Sequence, residues 1–272
     1  MSRVLSFVKS VGAGNDFVII DNRRSAVARS TAALSALARR LCHRQQGIGA
    51  DGLLVLEESR EGDFRMRIFN PDGSEPTMCV NGARCIALFA RTRGIAGSAM
   101  AFTTGAGLIR SWVRGRRVRV DVTSPKGWRV VHVPFDGRRT TAYFLNTGVP
   151  HVVLFPKALD RVDVARWGRV LRSHRLFGAD GANVDFASVA DHHHLRLRTY
   201  ERGVEAETLA CGSGAVAAAL AASRVTGAAS PVAVRTTGGE TLEVDWTGEG
   251  DHMRDVVLTG PTRLVYEGRM HI

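Results

Sequence analysis

Two stretches of sequence decide how this chain folds: EPTMCVNGARCIALFA (75–90) and ETLACGSGAVAAALAA (207–222). Each has a glutamate four residues before a cysteine (Glu75 and Cys79; Glu207 and Cys211), a glycine three residues after it (Gly82, Gly214), and then a run that is apolar nearly all round, Cys85 to Ala90 and Ala215 to Ala222. A helix without a polar face must be buried, so each run predicts a helix at the centre of a domain. Working outward, further matches recur about 132 positions on, in the same order. Gly49, Ala50 and Asp51 return as Gly181, Ala182 and Asn183; Arg67, Phe69 and Asn70 as Arg198, Tyr200 and Glu201; Thr103, Thr104 and Gly105 as Thr236, Thr237 and Gly238. Ordered self-similarity of this kind means two copies of one design, related by a pseudo-twofold axis.

The material around the helices reads as sheet. Phe64, Met66 and Ile68 alternate with Arg65 and Arg67, the period of a half-buried strand. The expected fold is α+β, with two pseudo-twofold-related lobes, each a curved sheet wrapped around a central buried helix. A further helix is expected from about Thr31 to Arg40, capped by Ser30 or Thr31 and presenting Leu34, Leu37 and Leu41 on one face. The turn-rich segment Thr123, Ser124, Pro125, Lys126, Gly127 marks the boundary between an N-terminal lobe, residues 1–122, and a C-terminal lobe, residues 123–272. The last strand, about 262–272, is expected to be able to pack back on the first lobe.

Bulk properties narrow the function. A chain of 272 residues, 44% hydrophobic, can bury a sizeable core. The start MSRVLSFVKS lacks the apolar run of a signal peptide, and no stretch approaches the roughly 18 apolar residues of a membrane span, so a soluble, cytoplasmic protein is expected. Cys42, Cys79, Cys85 and Cys211 show no CxxC spacing, which argues against a disulfide framework or a zinc site and for free thiols. The net charge of +11 would attract polyanions. Yet the basic residues are almost all arginine and are scattered, and lysine occurs only at Lys9, Lys126 and Lys157. With no finger, helix-turn-helix or basic tail, a small-molecule partner is expected and nucleic acid is not. His192, His193 and His194 are adjacent, so their side chains diverge and do not close one coordination shell; a solvated loop and no metal are expected.

The chemistry concentrates at the two matched cysteines. Both stand where a loop gives way to a buried helix, whose free N–H groups and positive dipole end favour a thiolate and a substrate carboxylate. Inverting an α-carbon takes a base on one face and an acid on the other, and two thiols facing each other across an interlobe cleft supply that symmetry. The developing carbanion needs N–H donors around its carboxylate, for which the backbones of Val80, Asn81, Gly212 and Ser213 are placed. No cofactor is expected: none of the three lysines sits in a phosphate-binding context suited to pyridoxal phosphate. Cys42 and Cys85 read as buried, inert thiols.

With those residues in view, the chain resembles the diaminopimelate epimerase family along nearly its whole length. The resemblance is carried by GNDFVIID (14–21), GIGADGLL (47–54), MRIFNPDGSE (66–75), CVNGARC (79–85), GVPH (148–151), GANVDF (181–186), YERGVEAETLACGSGA (200–215) and TGP (259–261). It implies an isomerase interconverting LL- and meso-2,6-diaminopimelate for lysine and cell-wall precursor biosynthesis, without a cofactor. It implies Cys79 and Cys211 as the acid/base pair, assisted by His151 and Glu201, with Val80, Asn81, Gly212 and Ser213 on the reacting carboxylate. Asn15, Asn70, Asn183, Glu201 and Arg202 would bind the rest of the substrate, and Tyr266 would lie in a homodimer contact. The chain departs from the family pattern at Val80 and Ala206, where glycine is usual, at Val149 in place of asparagine, and at Val11 in place of histidine. Two other readings stay open: a related racemase acting on another amino acid, and a non-catalytic amino-acid-binding homologue.

Overall fold

The computed structural model describes residues 4–272. The chain forms two compact units, one running through Val120 and including Gly260–Ile272, the other Asp121–Thr259. The first holds strands β1 (Val4–Gly12), β2 (Asn15–Asp21), β3 (Gly52–Glu57), β4 (Phe64–Phe69), β5 (Ala99–Thr104), β6 (Gly107–Arg114) and β7 (Arg117–Asp121), with helices α1 (Thr31–Cys42) and α2 (Val80–Thr92). The second holds β8 (Lys126–Phe135), β9 (Arg138–Asn146), β10 (Pro150–Leu154), β11 (Asn183–Asp191), β12 (His194–Glu201), β13 (Ala206–Thr208), β14 (Val232–Arg235) and β15 (Thr241–Thr247), with helices α3 (Val164–Arg172) and α4 (Gly212–Thr226). The last strand, β16 (Arg254–His271), gives residues up to Thr259 to the second unit and the remainder to the first.

In the first unit the strands follow the order β1-β2-β3-β4-β5-β6-β7-β16, and β16 returns to β1, pairing Val4 with His271 through to Gly12 with Thr262. The sheet is therefore a closed barrel without a free edge. In the second unit the order is β16-β15-β14-β12-β11-β10-β9-β8, with β13 added to β12. Parallel neighbours need a crossover, and the units use the same ones. α1 connects β2 to β3 as α3 connects β10 to β11; α2 connects β4 to β5 as α4 connects β12 to β14.

The two helices of each unit do different work. α2 and α4 are the buried ones: Asn81 through Ala90 of α2 and Gly214 through Ala222 of α4 are out of solvent. Both carry a glycine pressed on the sheet in their first turn. A Cβ on Gly82 would sit 3.0 Å from Leu54, and one on Gly214 only 2.5 Å from the Asp185 carboxylate. α1 covers the opposite face, packing Leu34, Ala38 and Leu41 with Val18, Leu53 and Val55, and Ser30 caps it by accepting from the Ala33 N–H. β3 is thus buried on both faces, which is why GLLVLE lacks the alternation of a half-solvated strand. α3, which the sequence reading did not anticipate, takes the equivalent place in the second unit: it is capped by Asp163 and packs Val164 and Leu171 with Val184, Phe186 and Tyr200. Among the described residues no helix is long and apolar enough to cross a membrane.

Cys42 and Cys85 are 2% and 0% exposed, and burial pushes both thiols from 9.0 up to about 12. An unfolded chain loses these protons near pH 9 while the folded one keeps them, so their contribution is complete below about pH 9 and declines as pH rises toward 12. The expected decline is about 1.4 kcal/mol per pH unit for each thiol. Urea titrations from pH 8 to 11 should show a shallower fall for Cys42→Ala/Cys85→Ala than for the parent; equal slopes would contradict it.

Candidate active site

Each matched cysteine is the N-cap of its central helix. Cys79 has extended backbone, and its Sγ accepts from the Gly82 N–H at 3.4 Å; Cys211 does the same with Gly214, also at 3.4 Å. The cysteine carbonyls accept the first intrahelical bonds, from Ala83 and Ala215. The N–H groups of Val80 and Asn81, and of Gly212 and Ser213, precede those bonds, as at any helix start, and form an anion-binding end. Val80 is the first residue of α2 and does not have positive φ, so its β-branch fits where the family pattern has glycine.

The glutamates four residues before the cysteines have a shared purpose. Glu75 takes two bonds from Arg67, each 2.7 Å, and Glu207 takes two from Arg198, each 2.8 Å. Such bidentate pairs fix direction as well as distance. Arg67 also donates to the Arg29 carbonyl and Thr31, and Arg198 to the carbonyls of Leu159 and Val162. The segment entering each cysteine is thereby tied to a strand and to the lead-in of the outer helix.

On the first unit, Asn81 donates through Nδ2 to Asn15 Oδ1, and Asn15 Nδ2 donates to Asp51 at 3.2 Å. Because Asp51 only accepts, it fixes which way the Asn15 amide points. Arg44 bonds both Asp51 at 2.6 Å and Asp16 at 2.9 Å, and the buried Lys9 pairs with Asp16 at 2.7 Å. Burial pushes the Asp16 carboxyl up, but hydrogen bonds from Arg44 and Lys9 outweigh it and bring it down to about 2. Buried Arg84 donates to Asn81 Oδ1 at 2.9 Å. Asn70 lies at the end of β4, half-buried, and donates to Ser74.

On the second unit, His151 on β10 and Asp185 on β11 are fully buried, with Nδ1 and Oδ2 2.7 Å apart. The other ring nitrogen, Nε2, lies 3.0 Å from Ser213 Oγ, which is 3.5 Å from Cys211 Sγ. Thr199 donates to the second Asp185 oxygen at 2.7 Å. Asn183 donates to the Pro150 carbonyl and accepts the Arg202 N–H at 2.8 Å, so this predicted ligand-binding amide holds the turn that carries Arg202. Glu201 ends β12, half-buried, and Val149 immediately precedes β10.

The helix start does not by itself make Cys211 acidic. Burial, followed by the negative charges of Glu201 and Asp185, pushes this thiol well above its usual range, against hydrogen bonds from Ser213 and the Gly214 N–H. The sequence-based expectation of a lowered pKa is corrected here: Cys211 is only 5% exposed, and its sulfur loses more hydration than the dipole returns. His192 and His193 donate through Nδ1 to the carbonyls of Gly227 and Pro231, and His194 donates through Nδ1 to Asp191, so the three rings point to separate partners. Tyr266 is 47% exposed on β16, edge-on to Phe7.

The fold is that of the phenazine-biosynthesis PhzF proteins and of hydroxyproline epimerase. A Bacillus anthracis PhzF-family protein superposes with a TM-score of 0.76 at 17% identity, covering 99% of both chains. A hydroxyproline epimerase from Agrobacterium vitis gives 0.73 at 15% identity, over 99% of this chain and 93% of that one. Sequence goes further: the diaminopimelate epimerase family model matches residues 7–128 and 143–265. The diaminopimelate epimerase of Aquifex aeolicus is 40% identical over 98% of each chain, and that of Archaeoglobus fulgidus 38% identical over 98% of this chain and 97% of its own. The chain belongs to the diaminopimelate epimerase family, a family of isomerases.

Proposed function

We propose that this enzyme interconverts LL- and meso-2,6-diaminopimelate by two-thiol acid/base chemistry, serving lysine and cell-wall precursor biosynthesis. The observation that carries the reading is the repeated cap: Cys79 and Cys211 each stand at the start of a buried helix, beside N–H groups suited to one carboxylate. One sulfur, as thiolate, takes the Cα proton; the electron pair left on carbon is stabilised through the carboxylate by N–H groups of Val80, Asn81, Gly212 and Ser213. The other sulfur, as thiol, gives its proton to the opposite face, and the two exchange protonation states with each turnover. His151 and Glu201 assist the thiols. Asn15, Asn70, Arg202 and Glu201 bind the distal amino-acid centre, and Asn183 contributes by fixing the Arg202 turn.

Incubation with LL-diaminopimelate in D₂O, with nothing else added, should exchange Cα–H for deuterium as the meso isomer forms. No exchange would reject the reading. A homodimer would meet around Tyr266, which is about half exposed on β16 beside the equally exposed Val265. Sedimentation velocity over a concentration series should show a dimer that Tyr266→Glu weakens; a monomer throughout would reject it.

A further inference from the structure

The buried carboxylate Asp185 has no part in the chemistry derived so far, although it lies behind a residue that does. Its Oδ2 is 2.7 Å from His151 Nδ1, and both side chains are fully out of solvent. Its Oδ1 accepts from Thr199 at 2.7 Å, so the carboxylate is held from two sides. A buried acid costs several kcal/mol unless paired, which makes an Asp inside the buried half of β11 an expensive choice for packing alone. The space it fills is available only because residue 214 is glycine: a Cβ there would lie 2.5 Å from Asp185 Oδ1.

We propose that Asp185, His151 and Ser213 form a proton relay ending on the Cys211 sulfur, with Asp185 as the positioning residue that sets the imidazole tautomer and the Ser213 hydroxyl as the proton carrier. The inference rests on Cys211 working as an acid/base thiol. A carboxylate only accepts, so Nδ1 carries the ring proton in the neutral imidazole and Nε2 is left as an acceptor. The Asn183 amide, whose Nδ2 is 3.5 Å from Nε2, donates in the same sense. Ser213 then donates its O–H to Nε2 across 3.0 Å, and its oxygen accepts the Cys211 S–H across 3.5 Å. When Cys211 becomes the base, its S–H bond breaks and the proton passes to Ser213 Oγ as the hydroxyl's own proton moves to Nε2. The result is a thiolate and an imidazolium, the latter stabilised by Asp185; the reverse transfer restores the thiol. The need for such a relay follows from the surroundings of the sulfur. Burial and the charges of Glu201 on β12 and Asp185 on β11 oppose ionisation, so the proton must have a nearby acceptor to leave at neutral pH. The groups facing the imidazole are Asp185, the Asn183 amide and the Ser213 hydroxyl.

Ser213→Ala keeps the backbone N–H that would face the substrate and removes only the hydroxyl. It should lower kcat/KM by about 10²-fold, equally in both directions as reversibility requires, with KM nearly unchanged and activity restored by Ser213→Thr. Asp185→Asn can donate to Nδ1 and so stabilise the wrong tautomer, an error that costs about 10⁴-fold where a buried Asp orients a catalytic His. The decisive readout needs no substrate: the rate of iodoacetamide labelling of Cys211 against pH, resolved from the other cysteines by peptide mass spectrometry. The parent's labelling rate should change with pH in a way that Ser213→Ala and Asp185→Asn abolish, and ¹⁵N shifts of His151 should report Nδ1–H in the parent. A Ser213→Ala labelling profile that superimposes on the parent's, or an Nε2–H tautomer in the parent, overturns the relay. If Asp185→Asn does not fold, the Ser213 variants and the parent spectrum still decide it. Activity surviving Cys211→Ala would instead defeat the two-thiol reading and leave the labelling result standing on its own.

Discussion

Alanine at either Cys79 or Cys211 is expected to lower kcat by about 10²–10⁴-fold, the usual contribution of a positioned proton donor or acceptor. The double variant should be little worse than either single one, because the thiols act as a unit and removing one already breaks the proton path. Each cysteine also caps its helix through Sγ. Alanine therefore costs about 1 kcal/mol of stability as well. Serine separates the two roles: its hydroxyl can still cap but does not ionise near neutral pH, so Cys79→Ser and Cys211→Ser should keep the parent's melting temperature and remain inactive. Turnover within tenfold of the parent in both single alanine variants would remove the thiols from the mechanism.

Selectivity against amino acids with a single amino-acid centre should be as large. A site built to hydrogen-bond a group rejects analogues lacking it by about 10⁴-fold, since its polar atoms lose both water and ligand. Lysine and ornithine lack the distal carboxylate, so their Cα–H exchange in D₂O should run about 10⁴-fold slower than that of diaminopimelate. The first-unit framework explains why the distal site would be stiff: Asn15 is oriented by Asp51, which Arg44 ties to Asp16, itself paired with Lys9. A side chain so constrained does not swing to meet a shorter ligand. Fastest exchange of lysine, histidine or another single-centre amino acid would favour the related-racemase reading. Val149 in place of asparagine is expected to weaken the distal array without reversing this order.

The repeat, the buried helices and the cysteine caps were legible because each leaves a periodic or positional mark: an apolar run, a Gly three residues on, a Glu four residues back. The reason for the glutamates was not legible, since their partners Arg67 and Arg198 belong to strands, and only pairing brings them alongside. α3 was hidden by three arginines, Arg166, Arg169 and Arg172, in a nine-residue segment, although Asp163 ahead of VARWGRVLR was a usable start signal. Asp185 could have been suspected: an acid among Val184, Phe186 and Ala187 in a strand that reads as buried must find a partner. His151 as that partner lies 34 residues away and becomes visible only through the parallel register of β10 with β11. The direction of the Cys211 shift was also beyond the sequence, which marks a helix start but not how far it is from water.

The division of β16 has a consequence for the order in which the molecule is made. Every strand of the second unit has been synthesised by Thr259, whereas the barrel of the first unit needs residues 262–271 to meet Val4–Gly12. The half that is translated first is thus completed last, the reverse of the usual N-to-C sequence of domain folding. Until those residues emerge, β1 and β7 carry unpaired edges, and a stop soon after Thr259 would leave the first unit open while sparing the strands of the second.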